Sequence, residues 1–219
     1  MHQQPEKMRP LIEQMFIRGP AGKLETLITV STTPNPHNAI AIVCHPHPLH
    51  EGTMHNKVVH TMARTFSDLG IPVARFNFRG VEASEGTFDN AIGEVADLAA
   101  VIAFMQNRYP DRAVWLAGFS FGAYIALKAS VNNQAAYLLT VAPAIHLYDT
   151  SNIEIPNCPW LLIMGDKDEI VSPDAVFRWT EKITPAPDMV QMEGAGHFFH
   201  RRLVELKNIL IQHIQTLKT

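Results

Sequence analysis

Apolar runs of strand length alternate with segments of helical periodicity, and this alternation limits the possible folds more than any other feature. In residues 56–70, Val58, Met62 and Phe66 recur at fourfold spacing before Gly70, which predicts a helix with a C-terminal glycine. Strands that alternate with helices form a parallel sheet with helices on both faces. The predicted strands are 11–19, 24–32, 38–44, 71–78, 112–118, 135–143, 159–165 and 188–193, and the predicted helices are 56–70, 92–109, 122–132, 173–183 and 200–215.

The first two predicted strands form a different unit. Gly19-Pro20-Ala21-Gly22 joins them with two turn formers, which predicts an antiparallel hairpin ahead of the parallel strands. No Ser/Gly-rich linker, repeat or low-complexity tract divides the 219 residues. We therefore expect a single α/β domain over residues 1–219, with about eight strands in a mostly parallel sheet.

Composition excludes several classes of partner. The formal net charge is -3, so no broad basic field indicates nucleic acid or an anionic membrane surface. The apolar run 113–127 is shorter than the roughly 20 apolar residues that a membrane helix needs. The first ten residues hold no apolar core of a secretory signal, and Cys44 and Cys158 make no disulfide framework. We expect a cytoplasmic protein with no nucleic-acid or membrane partner; its oligomeric state stays open.

The pentapeptide Gly118-Phe119-Ser120-Phe121-Gly122 stands between a predicted strand and a predicted helix. A G-x-S-x-G in this context is typical of a nucleophile elbow, a sharp turn that holds the serine hydroxyl clear of the sheet edge. Glycines are needed two residues before and after, where strand and helix approach each other. The alternative is a coincidental match in a glycine-containing turn. The strand before it and the helix after it favour Ser120 as a nucleophile.

A serine nucleophile needs a base, and the base needs a carboxylate that fixes its tautomer. In this architecture the acid and then the histidine follow the serine along the chain. Asp166, Asp168 and Glu169 follow a buried strand, so they lie at a carboxyl edge of the sheet. Asp166 and Asp168 compete for the acid role, with Glu169 a weaker third candidate. For Asp166 and Glu169 we expect a solvated loop position.

The histidine is singled out by its position. His197 follows the last predicted strand in Gly-Ala-Gly-His, where glycines allow the backbone to loop over the sheet edge. His200, three residues later, is expected to begin or cap the C-terminal helix. His197 is therefore the candidate general base.

Three segments, 118–122, 165–171 and 194–197, together resemble the α/β-hydrolase fold. They are most similar to its small, lidless members related to dienelactone hydrolase and short-chain esterases, and the resemblance spans nearly the whole chain. The acid loop of that family commonly reads G-x-x-D-x-x-V, which implies the acid role for Asp168. Dienelactone hydrolases use a cysteine nucleophile, so Ser120 argues against that particular activity.

The segment Cys44 to Lys57 contains four histidines and follows the strand 38–44. An oxyanion hole would combine the backbone N–H of Phe121 with an N–H from this loop. The family resemblance implies the amide of His47. Pro46 and Pro48 have no N–H, which leaves Leu49 and His50 as alternative donors.

Two other interpretations of the histidines stay open. The cluster His45, His47 and His50 has the H-x-H-x-x-H spacing of some dinuclear metallohydrolases, and imidazoles suit zinc. That motif carries an aspartate where Leu49 stands, and no matching ligand set follows. In a purely structural role, His45 would hydrogen-bond neighbouring loops while His50 and His55 would be exposed.

Two loops bear on the substrate. Only residues 144–159 separate two predicted strands where many relatives insert a lid, so we expect an open cleft walled in part by Ile145, Leu147 and Tyr148. The polar loop after Arg79 either borders the pocket, with Ser84 or Glu85 near the substrate, or is solvated. We expect the solvated loop and assign it no role.

The expected function is a cofactor-free serine hydrolase, a carboxylesterase of small to medium esters through a Ser-His-Asp triad and an acyl-enzyme. A non-catalytic binding protein of the same fold is the alternative, with a metal-dependent hydrolase as a further one.

Overall fold

The N-terminal hairpin forms one edge of an eight-stranded sheet in the computed structural model, which describes residues 10–31 and 33–217. The end of the second predicted strand, at residue 32, lies outside the described residues. The strands are β1 Leu11–Gly19, β2 Gly22–Val30, β3 Ala39–Cys44, β4 Val73–Phe76, β5 Ala113–Phe119, β6 Tyr137–Val141, β7 Trp160–Gly165 and β8 Asp188–Met192. The helices are α1 Lys57–Asp68, α2 Gly93–Arg108, α3 Phe121–Ser130, α4 Pro173–Thr180 and α5 Leu203–Thr216.

The strand order in the sheet is β1-β2-β4-β3-β5-β6-β7-β8. β1 pairs antiparallel with β2, and β2 pairs antiparallel with β4, whereas all later pairs are parallel. Every residue of β3, β6 and β7 is buried, as expected for parallel strands that are covered on both faces. The predicted mostly parallel sheet with an antiparallel hairpin is confirmed.

The connections place helices on both faces. The crossover from β3 through α1 to β4 runs toward the hairpin, whereas the crossover from β4 through α2 to β5 runs the other way. Because such crossovers are right-handed, opposite directions put α1 and α2 on opposite faces. α1 packs against α5, and α2 packs against α3. In the described ranges, no helix has both the length and the apolar character to cross a bilayer.

The loops after β3, β5, β7 and β8 leave the sheet at the same edge, because these four strands are parallel. These loops carry the histidine-rich segment, Ser120, Asp168 and His197. The topology therefore brings the predicted functional residues to one rim of the sheet.

Candidate active site

Ser120 occupies the one-residue turn between the end of β5 and the start of α3. Its backbone has φ 56° and ψ -117°, a conformation that costs energy for a residue with a side chain. The turn is held on both sides: the Ser120 N–H donates to the Val141 carbonyl at 2.9 Å, and the Ser120 carbonyl accepts from the Ala123 N–H at 3.1 Å. The sharp strand-to-helix turn predicted from the pentapeptide is present.

The two flanking glycines are required by close backbone approaches. A Cβ on Gly118 would lie 2.1 Å from the carbonyl oxygen of Gly122. A Cβ on Gly122 would lie 2.4 Å from the carbonyl oxygens of both Cys44 and His45. The predicted reason for the glycines is therefore confirmed, and Gly122 in addition sets how closely the loop after β3 approaches α3.

Asp168 and His197 are joined by a short hydrogen bond. Nδ1 of His197 lies 2.8 Å from Oδ2 of Asp168, and both side chains are buried. The second carboxylate oxygen, Oδ1, accepts from the N–H of Ile170 at 2.9 Å and from the N–H of Val171 at 2.7 Å. Since a carboxylate oxygen accepts, Nδ1 carries the proton and Nε2 of a neutral His197 is left as the acceptor.

The imidazole of His197 lies beside the elbow. Its ring centroid is 4.9 Å from that of Phe119, the residue immediately before Ser120. Within the described part of the chain, Ser120 Oγ has no hydrogen-bond partner, and the Ser120 side chain is not bonded to His197. Such bonds are often long in free enzymes and tighten when substrate binds.

Asp166 is partly exposed and Glu169 is exposed, as expected for loop carboxylates, but each also accepts a backbone hydrogen bond that was not predicted. Oδ1 of Asp166 accepts from the Gly194 N–H at 2.6 Å, and Oε2 of Glu169 accepts from the His197 N–H at 3.1 Å. Both carboxylates thus hold the loop that carries His197. The expectation for His200 was wrong, because α5 begins at Leu203 and His200 is an exposed loop residue.

His45 is buried with both ring nitrogens engaged. Nδ1 lies 2.6 Å from the carbonyl oxygen of Pro46, and Nε2 lies 3.0 Å from the N–H of Phe78. The carbonyl requires a proton on Nδ1, whereas the amide requires a lone pair on Nε2, so the ring is neutral. Burial lowers the pKa of His45 to about 3, in agreement with this arrangement. The structural role proposed for His45 is the one observed.

The cluster His45, His47 and His50 is not arranged as a metal site. Both nitrogens of His45 are already bonded within the protein, and His50 and His55 are exposed as the structural alternative predicts. Across residues 10–31 and 33–217, no three His, Cys, Asp or Glu side chains are grouped so that they could hold a metal ion.

The candidate oxyanion donors differ in whether their backbone N–H groups already donate to an acceptor in the protein. Phe121 is the first residue of α3, so its N–H has no acceptor within the helix. The Leu49 N–H donates to Nδ1 of His47 at 3.1 Å, and the His50 N–H donates to the His47 carbonyl at 3.0 Å. The His47 N–H has no acceptor among the described residues. The N–H groups of Leu49 and His50, the two alternative donors, are therefore already bonded. The N–H groups of Phe121 and His47 are free to bind an oxyanion.

Rings pack the His47 loop against the elbow. The centroid of the His47 ring lies 5.1 Å from that of Phe121 and 4.9 Å from that of Phe88. Tyr148 lies 5.5 Å from Phe121 and stacks on Tyr124 at 4.7 Å. The segment 144–159 contains only a short 3-10 helix, Ile145–Leu147. Of the three residues expected to wall a cleft, Tyr148 packs on Phe121, Ile145 is buried and Leu147 is exposed, and the cleft itself stays a prediction.

The loop after β4 is mostly exposed, Glu85 included, as expected, but Arg79 and Ser84 within it are buried. The Arg79 guanidinium donates to both carboxylate oxygens of Asp97, at 2.8 and 2.9 Å. Ser84 bonds the carbonyl of Asn77 at 2.7 Å and is also buried. Gly93 was the overlooked signal, because a Cβ there would lie 1.9 Å from Arg79 Nη1.

Comparisons with known proteins agree with this architecture. Residues 37–157 match the family described as "Serine aminopeptidase, S33". A serine hydrolase without a lid from Xanthomonas campestris is 39% identical, with a TM-score of 0.90 and coverage of 95% of this chain and 97% of that one. A serine hydrolase homologue from Coxiella burnetii is 42% identical, with a TM-score of 0.89 and coverage of 92% and 97%.

An uncharacterised protein of Rickettsia prowazekii is 35% identical over 216 residues, which covers 94% of this chain and 90% of that protein. The fold, the strained backbone of Ser120 after β5 and these similarities all indicate the same family. The chain belongs to the α/β-hydrolase fold family, among the serine hydrolases that lack a lid.

Proposed function

We propose that this protein is a serine carboxylesterase in which Ser120 is the nucleophile, His197 the general base and Asp168 the group that orients His197. The observation that carries the proposal is the 2.8 Å bond between Asp168 and His197 beside the strained turn of Ser120. This bond leaves Nε2 of His197 as the acceptor for the serine proton.

In the first half-reaction Ser120 Oγ attacks the ester carbonyl carbon and gives its proton to Nε2 of His197. The backbone N–H groups of Phe121 and His47 donate to the oxyanion of the tetrahedral intermediate. As the intermediate collapses, the C–O bond to the alcohol breaks and His197 gives its proton to the departing oxygen. Asp168 stabilises the imidazolium in between.

In the second half-reaction water attacks the acyl-enzyme while His197 takes a proton from it. Collapse of this intermediate releases the carboxylic acid and returns the proton to Ser120 Oγ. These steps need neither a metal nor a cofactor.

The absence of a helical lid in 144–159 supports small to medium esters as substrates. Exposed apolar side chains lie in the segments beside the elbow: Leu49 is 68% exposed and Leu147 is 57% exposed. An ester of moderate size reaches Ser120 from solvent without displacing a covering domain.

Labelling with a fluorophosphonate probe tests this function. Wild-type protein should be labelled at Ser120, the Ser120→Ala variant should not, and a chelator should leave labelling unchanged. No labelling of the wild type would favour a non-catalytic binding protein.

The family match to serine aminopeptidases makes amides the second substrate class to be tested. Esters and anilides that share one acyl group should be compared on the same protein. We expect the esters to be cleaved faster; faster cleavage of the anilide of an amino acid would favour an aminopeptidase.

A further inference from the structure

A cavity of about 350 Å³ lies between the start of α1 and the loop that precedes α5. Four of its eight lining residues carry basic side chains, although the chain as a whole has a net charge of -3. We call it the basic cavity. Its lining residues are His55, Asn56, Lys57, Val58, Phe198, His200, Arg201 and Leu203.

The basic side chains are largely without carboxylate partners. Among the described residues, Lys57, His200 and Arg201 form no ion pair, whereas His55 faces Glu82 at 3.8 Å. Several basic side chains elsewhere are paired, whereas others, such as Arg178 and Lys182, also form no ion pair among the described residues. The pairs are Arg64 and Lys207 with Asp68, Arg79 with Asp97 and Asp89, Arg108 with Glu13, and Arg202 with Glu205. What distinguishes the basic cavity is that two formal positive charges, those of Lys57 and Arg201, line one cavity with no carboxylate paired to either of them among the described residues.

The loop that supplies His200 and Arg201 has an uncommon backbone. Phe199 has φ 50° and Arg201 has φ 60°, and neither is glycine. The Phe199 side chain is fully buried, whereas His200 and Arg201 are exposed. The buried Phe199 thus anchors the loop whose exposed His200 and Arg201 line the cavity.

The basic cavity adjoins the proposed general base. Phe198 lines the cavity, and its ring centroid lies 5.0 Å from that of His197. In the proposed mechanism His197 protonates the departing oxygen, so the alcohol part of the ester leaves Ser120 on the side of His197. A group on that alcohol would pass Phe198 to reach Lys57 and Arg201.

We infer that the basic cavity binds a negatively charged group on the alcohol part of the substrate, and that the enzyme prefers anionic esters. The inference rests on the proposed function and adds a substrate class to it. Lys57 and Arg201 attract the charge, and Phe198 packs against the body of the alcohol. Neutral esters are still hydrolysed, because the groups that perform the chemistry lie outside the cavity.

The test compares 4-acetoxybenzoate with 4-acetoxybenzamide, two acetate esters that differ by a carboxylate or a neutral amide of similar shape. 4-Acetoxyphenylacetate and its amide provide the same comparison with a longer reach. For each pair, kcat/KM is measured in wild type and in Lys57→Gln/Arg201→Gln. The matched control, Arg178→Gln/Lys182→Gln, removes two exposed charges at and just after α4, where no residue lines the cavity.

We expect the cavity variant to lose about tenfold or more in kcat/KM for the carboxylate of at least one pair and less than about twofold for the amide. The control variant should leave both values unchanged, and added salt should weaken the preference for the carboxylate. Equal losses for both members of each pair, or no loss, would overturn the inference. If wild type cleaves none of the four acetate esters, the proposed esterase function itself is contradicted.

Discussion

Oδ2 of Asp168 lies 2.8 Å from Nδ1 of His197, and the two residues come from loops that follow the neighbouring parallel strands β7 and β8. Two backbone amides fix the other oxygen of Asp168. The carboxylate therefore has one direction in which it accepts from the imidazole, and this sets the tautomer on which the proposed proton transfer depends.

Asp168→Asn should lower kcat by about 10⁴-fold, because an amide that donates toward Nδ1 favours the wrong tautomer of His197. The matched control is Asp166→Asn, whose side-chain oxygen still accepts from the Gly194 N–H, and it should lose less than about tenfold. Ester hydrolysis measured at saturating substrate checks both variants. Full activity in Asp168→Asn together with inactivity in Asp166→Asn would assign the acid to Asp166.

The backbone amide of His47 can be removed without removing the loop. His47 has φ -54°, which proline adopts, so His47→Pro deletes one N–H at low conformational cost. We expect kcat to fall by about 10²- to 10³-fold, the usual loss for one oxyanion donor. His47→Ala keeps the N–H and loses only the ring, so it should retain most of its kcat. Similar kcat values for the two variants would remove His47 from the oxyanion hole.

Gly122→Ala should destabilise the fold by about 3 kcal/mol, since its Cβ would meet two backbone carbonyl oxygens at 2.4 Å. The comparison variant is Gly194→Ala, where φ is 70° and the nearest atom lies 3.5 Å away. It should lose only about 1 kcal/mol, from backbone conformation alone. Urea unfolding measures both, and an equal loss would mean that the β3 loop moves aside freely.

His45 makes the fold sensitive to acid. Its pKa is about 3 in the folded protein against an ordinary value of 6.5, so below pH 6.5 the unfolded chain binds a proton that the folded one does not. The stability contributed by neutral His45 is complete above pH 6.5 and is lost as the pH falls toward 3. At pH 5 the loss is about 2 kcal/mol.

His45→Gln cannot take up this proton. Its free energy of unfolding should be lower than that of wild type at pH 7.5, because a buried hydrogen bond is lost. Between pH 7.5 and 5, however, it should fall by about 2 kcal/mol less than that of wild type. Parallel pH profiles from urea titrations would show that His45 is not the responsible group.

Much of the fold follows from local patterns. The fourfold spacing of Val58, Met62 and Phe66 predicted α1, and these side chains are buried in it. The elbow was predictable because Gly118 and Gly122 mark a close approach on either side of Ser120. Sequence order also separated the acid and histidine segments from the many other polar residues.

Contacts between distant segments were not predictable from local patterns. The strand order, with β4 between β2 and β3, depends on which edges pair. The burial of Arg79 depends on Asp97 of α2, and the sequence does not show that this helix packs against Arg79. The bonds from Asp166 and Glu169 to the His197 loop likewise depend on how two loops meet above the sheet.

The acyl-enzyme on Ser120 is the most direct test of the proposed chemistry. Wild-type protein is mixed with 4-nitrophenyl acetate, quenched in acid within the first turnover and digested for mass spectrometry. The peptide that contains Ser120 should carry one acetyl group, and the same peptide from Ser120→Ala should carry none. Rapid hydrolysis of the ester with the acetyl group on another residue, or with no acylated intermediate and no initial burst of 4-nitrophenol, would contradict a mechanism through Ser120.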